Sequence, residues 1–174
     1  FVCNYTLLSE EVLELKELQS GKDYRDHLAG HLENEKALDK EKVYKILSPY
    51  PEVKEVLTDL KKKNLKLAIL SNGTPDLINE LVSTNNLDAF DDLFSIEEVK
   101  IYKPDSKVYN LPINKYKIQP KEVVFLSANT WDVSGGGNFG YNAVWVNRNN
   151  SHFDNLDYKP KNEIKNLKGL LEIV

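Results

Sequence analysis

The sequence predicts an α/β domain in which helices cover both faces of a mostly parallel sheet. Residues 65–73 contain a continuous apolar run that ends in Ser71, and residues 123–126 and 143–146 are continuous apolar runs as well. Strands buried on both faces of a parallel sheet have this pattern, whereas half-exposed strands alternate. Residues 93–96 are a further short strand candidate. Amphipathic helical stretches separate the runs, and strands that alternate with helices pair in parallel.

Composition limits the kind of protein further. The chain has 174 residues, of which 41% are hydrophobic, and these numbers fit one domain with a substantial core. A net charge of −4 favours neither a nucleic-acid groove nor a basic membrane face. No apolar run approaches the roughly 20 residues that span a bilayer. The single cysteine, Cys3, leaves no internal disulfide, so we expect a reducing, cytoplasmic location and no membrane or nucleic-acid partner.

Helical periodicity marks the segments between the strands. Helices are predicted after Pro51 and after Pro75, because proline is tolerated in the first turn. Another begins near Asp105, where Pro112 removes an internal hydrogen bond and predicts a kink or a break. The segment after residues 123–126 contains three glycines, which weaken a helix. A closing helix is predicted from the spacing of Ile164, Leu167, Leu170 and Leu171.

A helical insertion interrupts this alternation after the first strand. Residues 1–8 have the pattern of a strand end and a turn, and residues 9–48 show helical spacing with a break at Ser20 and Gly21. We therefore predict a core domain made of residues 1–8 and 49–174. Residues 9–48 are predicted to form a truncated helical cap.

Polar side chains collect at the ends of the predicted strands. Thr6, the pair Ser71 and Asn72, and residues 127–132 each follow an apolar run, and Lys103 lies in a turn before a helix. The carboxyl ends of parallel strands share one edge of the sheet, where ligands bind in open α/β folds. A lysine there keeps carboxylates ionised, a carboxylate activates water, and hydroxyl or N–H groups hold developing anions. The pattern predicts hydrolytic covalent catalysis at this edge.

Three segments carry these polar residues in a fixed order. They are LKLAILSNGTP from Leu65, IYKPDSKVY from Ile101 and VVFLSANTWDVSGGGNFGYNAVWVNR from Val123. In this order and spacing they resemble the haloacid dehalogenase superfamily and, within it, the L-2-haloacid dehalogenases of type II. The resemblance extends from Pro49 to residue 174. It implies a Rossmann-like, three-layer domain with a reduced helical cap inserted after the first strand.

The resemblance also implies a reaction. An aspartate at the end of the first strand attacks the carbon that bears the halogen of a small (S)-2-haloacid. Water then hydrolyses the aspartyl ester, and neither a cofactor nor a metal is implied. The expected partner is a small 2-haloacid or another small carboxylate, and a homodimer is possible.

Site residues are assigned from the resemblance, residue by residue. The residues implied in catalysis are Lys103, Asp132, Thr6, Ser127 and Asn129. The residues implied in substrate binding are Ser71, Asn72, Tyr109 and Trp131. Lys103 would pair with the attacking aspartate and Asp132 would activate water. Considered singly, however, Lys103 is a solvated lysine, Asp132 a helix cap, and Ser71 with Asn72 an ordinary turn.

The first motif departs from the family pattern. The family reads Phe-Asp-x-Tyr-Gly-Thr-Leu, and alignment on Thr6 puts Val2 at the position of the nucleophilic aspartate. Valine has no nucleophile, so a catalytically silent relative that binds a small carboxylate is one alternative. A Mg²⁺-dependent phosphatase of the same superfamily is another. Asn129 disfavours the phosphatase, because it stands where a liganding carboxylate is expected.

Overall fold

The computed structural model of the protein describes the backbone of Val2–Cys3 and residues 48–174. Thr6 lies outside the described residues, as does all of the predicted cap except Ser48. The division of the chain into a core domain and a helical cap therefore remains a prediction.

A parallel sheet of six strands forms the centre of the described residues. In chain order the strands are β1 (Val2–Cys3), β2 (Ala68–Ser71), β3 (Asp92–Ser95), β4 (Val124–Ser127), β5 (Asn142–Val146) and β6 (Asn162–Ile164). Their spatial order is β3-β2-β1-β4-β5-β6, and every neighbouring pair is parallel. This is the doubly wound order of Rossmann-like folds, so the α/β prediction is confirmed. The order reverses between β1 and β4, where such sheets bind ligands.

Helices pack on both faces of the sheet. In chain order they are α1 (Val53–Lys62), α2 (Pro75–Thr84), α3 (Ser106–Tyr116) and α4 (Thr130–Phe139). On one face, α1 and α2 pack with Ile69 and Leu126, and on the other face α3 and α4 pack with Leu70 and Phe125. Successive residues of a strand face opposite sides, so β2 and β4 supply apolar side chains to both layers. No helix within the described ranges is long and apolar enough to span a membrane.

Capping side chains determine where two of the helices begin. Thr74 Oγ1 accepts a hydrogen bond from the N–H of Leu77 at 3.3 Å, and Pro75 is the first residue of α2. Asp105 Oδ1 accepts from the N–H of Lys107 at 2.8 Å and caps α3. Such caps satisfy N–H groups without a partner inside the helix and contribute about 1 kcal/mol each. Both helices therefore start at defined residues just after the loops that carry the polar clusters.

Three details differ from the sequence prediction. Residues 143–146 are not the last strand, because β6 extends the edge of the sheet. The closing element is a 3₁₀ helix at Leu167–Glu172, and Ile164 belongs to β6 instead. A strand of three residues is too short for its periodicity to be read. The helix α3 continues through the buried Pro112, so a broken helix there is wrong, and packing outweighs the lost hydrogen bond.

Candidate active site

Three strands end in a buried serine that holds the following loop. Ser71 ends β2, Ser95 ends β3 and Ser127 ends β4, and each hydroxyl oxygen accepts a hydrogen bond from the N–H two residues later. The three donor–acceptor distances are 2.8, 3.1 and 3.1 Å. Ser95 also donates to the carbonyl of Gly73 at 2.7 Å and so joins the loops after β2 and β3. The sequence prediction omitted Ser95, although it too is a polar residue that ends an apolar strand.

A buried ion pair lies at the same edge of the sheet. Lys103, in the turn before α3, has its Nζ 3.2 Å from Asp132 Oδ2, and neither side chain is exposed to solvent. Asp132 lies in the first turn of α4, where the helix dipole stabilises a negative charge. The ammonium also lies 5.4 Å from the centre of the Phe125 ring, within range of a cation–π attraction. Lys103 is therefore not solvated, and Asn129, rather than Asp132, occupies the cap position of α4.

The amide of Asn72 connects the loop after β2 to this lysine. Its Oδ1 accepts a hydrogen bond from the backbone N–H of Lys103 at 3.1 Å. Only the oxygen of an amide side chain accepts from an N–H, so this bond defines which end is the NH₂ group. The Nδ2 group of Asn72 therefore faces away from the backbone of Lys103, and its two N–H donors take no part in this bond.

A tyrosine on α3 holds the other oxygen of the carboxylate. The hydroxyl of Tyr109 donates to Asp132 Oδ1 at 2.8 Å, whereas Lys103 contacts Oδ2. Burial raises the pKa of the Tyr109 hydroxyl, and the charge of Asp132 and the hydrogen bond to it raise that pKa further. The phenol is therefore a neutral donor in the physiological pH range. A hydrogen bond to an ionised acceptor is about twice as strong as one between neutral groups.

An aromatic cluster, made of Tyr109, Phe125, Phe139 and Tyr141, holds this tyrosine in turn. The ring of Tyr109 lies 5.7 Å from that of Phe125, 5.9 Å from that of Phe139 and 6.0 Å from that of Tyr141, centre to centre. These are the distances of favourable aromatic pairs. The hydroxyl of Tyr141 also donates to the backbone carbonyl of Tyr109. Both the ring and the backbone of Tyr109 are thus fixed behind the ion pair.

Trp131 lies on the solvent side of the same region. It belongs to the first turn of α4, and 40% of its surface is exposed. Together with Tyr109 it lines a cavity of about 530 Å³ between α3 and α4, whose walls also include Pro104, Ser106 and Leu156. A cavity of this size is sufficient for a small molecule.

The structure brings four of the predicted site residues into direct contact. Asn72, Lys103, Asp132 and Tyr109 form one continuous hydrogen-bonded network. Of the remaining described site residues, Ser71 and Trp131 are adjacent in sequence to Asn72 and Asp132, whereas Ser127 ends β4 and Asn129 occupies the cap position of α4. The network joins a carboxylate, an ammonium and a neutral phenol in a site that excludes solvent, which suits proton transfer to or from a bound molecule.

Comparison with known sequences defines the class of protein. The sequence model of the haloacid dehalogenase-like hydrolases matches residues 5–140. The match includes the whole network and covers well over half of the chain. The protein therefore belongs to the haloacid dehalogenase-like hydrolase family.

Individual relatives narrow the comparison. An (S)-2-haloacid dehalogenase from Pseudomonas putida is 37% identical over 142 residues, which cover 81% of this chain and 63% of that protein. The resemblance to the L-2-haloacid dehalogenases, expected from the three motifs, is confirmed by this similarity. The chain spans about three fifths of the length of the curated relatives it matches.

Two solved structures show how far the fold is shared. An L-2-haloacid dehalogenase superposes with a TM-score of 0.83 at 25% identity, covering 99% of this chain and 96% of that one. A HAD phosphatase from Thermococcus onnurineus superposes with a TM-score of 0.74, also at 25% identity, covering 99% of this chain and 95% of that one. Proteins with different named activities thus share the fold, so the reaction has to be argued from the site.

Proposed function

We propose that the protein is a hydrolase that removes halide from small (S)-2-haloacids. The observation that carries the proposal is the buried network of Asn72, Lys103, Asp132 and Tyr109 at the carboxyl edge of the sheet. Its support from comparison is the similarity to the (S)-2-haloacid dehalogenase of Pseudomonas putida.

The proposed reaction has two steps. In the first step, as the resemblance gives it, a carboxylate at the position of Val2 attacks the carbon that carries the halogen, and the halide leaves with the bonding electrons. This chain has valine there, so turnover requires a carboxylate from elsewhere in the chain. Water then attacks the carbonyl carbon of the ester, and its proton passes to Asp132, which returns a proton to the departing hydroxy acid. The ammonium of Lys103 favours the ionised form of carboxylates beside it, and Tyr109 fixes the orientation of Asp132.

Hydrogen-bond donors at the strand end suit an anionic substrate. The hydroxyl oxygen of Ser71 accepts from the N–H of Gly73, so its own hydrogen is directed to another acceptor, which we assign to the substrate carboxylate. The Nδ2 donors of Asn72 are assigned to the side of the halide, because Oδ1 is engaged by Lys103. Trp131 and Tyr109, which line the cavity between α3 and α4, are assigned to the apolar part of the substrate.

Binding of a small carboxylate without turnover is a second candidate, and Val2 favours it. In β1, Val2 pairs with Ala68 of β2 and with Phe125 of β4, where the strand order reverses. The resemblance puts the attacking carboxylate at this position, and valine supplies none. The two candidates therefore share a binding site and differ in the first chemical step.

A magnesium-dependent phosphatase fits the described residues poorly. Mg²⁺ is held by carboxylate oxygens, whereas Asn129 offers an amide. Within residues 48–174, no three His, Cys, Asp or Glu side chains come together as a potential metal site.

Halide release from (S)-2-chloropropionate tests the proposal. Release by the protein without Mg²⁺ that is lost in Asp132→Asn supports dehalogenation, and the exposed Asp88→Asn is the matched control. Binding without release, together with release by Val2→Asp, supports the second candidate. Hydrolysis of p-nitrophenyl phosphate that depends on Mg²⁺ would contradict both.

The homodimer and the cytoplasmic location expected from the sequence are part of the same proposal. Analytical ultracentrifugation of the full protein tests the dimer. A sedimentation coefficient that matches a monomer at micromolar concentration would contradict it.

A further inference from the structure

Gly135 lies where α4 approaches the tyrosine of the site. It comes three residues after Asp132, so both residues are on the same side of the helix. A Cβ atom on Gly135 would lie 2.5 Å from the hydroxyl oxygen of Tyr109 and 2.8 Å from Cβ of Pro104. Atoms in a packed protein do not approach this closely, so a larger residue would displace its neighbours.

The hydroxyl next to Gly135 is the group that holds the carboxylate of Asp132. It donates to Oδ1 at 2.8 Å, while Lys103 contacts Oδ2 at 3.2 Å. Relief of the contact with an added methyl group requires the hydroxyl or its neighbours to move, and a longer bond from the hydroxyl to Oδ1 is weaker. The present length of the bond between Tyr109 and Asp132 therefore depends on glycine at this position.

We propose that Gly135 is a positioning residue, whose missing side chain lets Tyr109 hold Asp132 in the orientation that receives a proton from water. The catalytic consequence rests on the proposed function. The geometric part depends only on the contacts of Gly135, Tyr109 and Asp132.

The surroundings indicate how the site would respond to a larger residue. Gly135, Tyr109 and Pro104 all line the cavity of about 530 Å³ between α3 and α4, so the packing around them is open on that side. Alanine also favours a helix more than glycine does, which offsets part of the cost of the new contact. We therefore expect Gly135→Ala to fold and to alter the site locally.

The same helix supplies a matched control. A Cβ atom on Gly137 would meet the ring of Tyr158, at distances of 2.2–2.5 Å. Gly137→Ala thus adds the same methyl group to the same helix and creates an equally close contact. That contact involves the loop after β5 rather than Tyr109.

Carbon-13 NMR of the full chain, labelled at aspartate Cγ, tests the inference without requiring turnover. The Asp132 signal is assigned from its loss in Asp132→Asn. We expect Gly135→Ala to shift this signal in the same direction as Tyr109→Phe, and the double variant to match Tyr109→Phe alone. Gly137→Ala should leave the signal in place. An unchanged signal in Gly135→Ala, or an equal shift in Gly137→Ala, would overturn the inference.

Kinetics provide a second readout and separate the two proposals. With measurable halide release, Gly135→Ala should lower kcat about tenfold, because proton transfer to Asp132 is disturbed. Absence of release from the wild type and from Val2→Asp would refute the proposed function. The NMR signals would still decide whether Gly135 positions Asp132.

Discussion

The Nζ of Lys103 and Oδ2 of Asp132 lie 3.2 Å apart, and neither side chain has any exposed surface. Removal of two charges from water costs several kcal/mol for each ion, and mutual attraction offsets this only when further polar contacts help. Tyr109 donates to Oδ1 of the same carboxylate, and the Phe125 ring lies 5.4 Å from the ammonium. The stability of the folded protein and any reaction at the site therefore depend on both charges together.

Loss of both charges should destabilise the protein less than the two single losses added together. Lys103→Met and Asp132→Asn each remove one member of the buried ion pair, and we expect each to reduce the free energy of unfolding by about 3 kcal/mol. The double variant removes both charges and should lose less than the sum of the single variants. Urea denaturation measures all three. Strict additivity would contradict a direct interaction between Lys103 and Asp132.

Two substitutions of Asn72 should separate its structural role from its role toward a ligand. Asn72→Ala loses the acceptor for the Lys103 N–H and should reduce stability by about 1 kcal/mol. Asn72→Asp keeps an acceptor, so stability should change by less than about 0.5 kcal/mol, yet its negative charge opposes an anionic ligand. Calorimetric titration with (S)-2-chloropropionate should show about tenfold weaker binding for Asn72→Asp. Wild-type affinity of this variant would exclude Asn72 from the anion site.

Arg148 should stabilise the start of α1. Its Nη2 lies 2.7 Å from Glu52 Oε1, its Cζ lies 3.5 Å from the centre of the Tyr50 ring, and its side chain is 12% exposed. Arg148→Met removes both contacts and should cost about 2 kcal/mol, measured by urea denaturation at pH 7. Arg148→Lys keeps the charge but not the planar group that lies over the ring, so its loss should be intermediate. A loss in Arg148→Lys as large as that in Arg148→Met would contradict this role for the charge.

The same contact should depend on pH. Burial alone raises the pKa of Glu52, but its backbone hydrogen bond and the adjacent guanidinium of Arg148 outweigh burial and lower that pKa below 4.5. A carboxyl group whose pKa is lower in the folded state than in the unfolded state stabilises the protein at pH values above the unfolded-state pKa. This stabilisation is lost as the pH falls through the folded-state pKa. The stability difference between wild type and Glu52→Gln should therefore shrink below pH 4.5. A difference that grows with acidity would contradict the assignment.

The stabilisation contributed by Asp91, which lies beside the start of β2, should depend on pH in the same way. Its carboxylate accepts from the N–H of Leu67 at 2.9 Å and contacts the amines of Lys61 and Lys66 at 2.8 and 3.0 Å. Burial raises its pKa, and these three donors outweigh burial and lower the pKa well below 3.8. Asp91→Asn should cost about 1 kcal/mol at pH 7, because both amines are partly solvated, and less as the pH falls below 3.8. The exposed Asp88→Asn, with no expected loss, is the control for urea denaturation.

Local patterns predicted most of the described fold, because the strands are continuous apolar runs. The helices predicted after Pro51, after Pro75 and near Asp105 are α1, α2 and α3. The sequence did not predict β6, which has three residues, or the continuation of α3 through Pro112. Both are stabilised by neighbouring elements rather than by local sequence.

The sequence predicted which residues belong to the site but not how these residues contact one another. Order along the chain grouped Asn72, Lys103 and Asp132, and the structure joins them by direct contacts. The hydrogen bond from Tyr109 to Asp132 and the close approach of Gly135 to Tyr109 could not be predicted, because both depend on the distance between α3 and α4. The predicted roles of all these residues in catalysis remain predictions.

The exposed position of Trp131 gives the protein an optical reporter of its own. The chain contains two tryptophans, and the other, Trp145, is buried with its indole N–H donated to the carbonyl of Ala128 at 3.1 Å. Exchange of Trp145 for phenylalanine leaves the fluorescence of Trp131 alone, on the wall of the cavity. Bromide and iodide quench indole emission on contact, so the arrival and departure of a heavy halide can be followed in real time without a label.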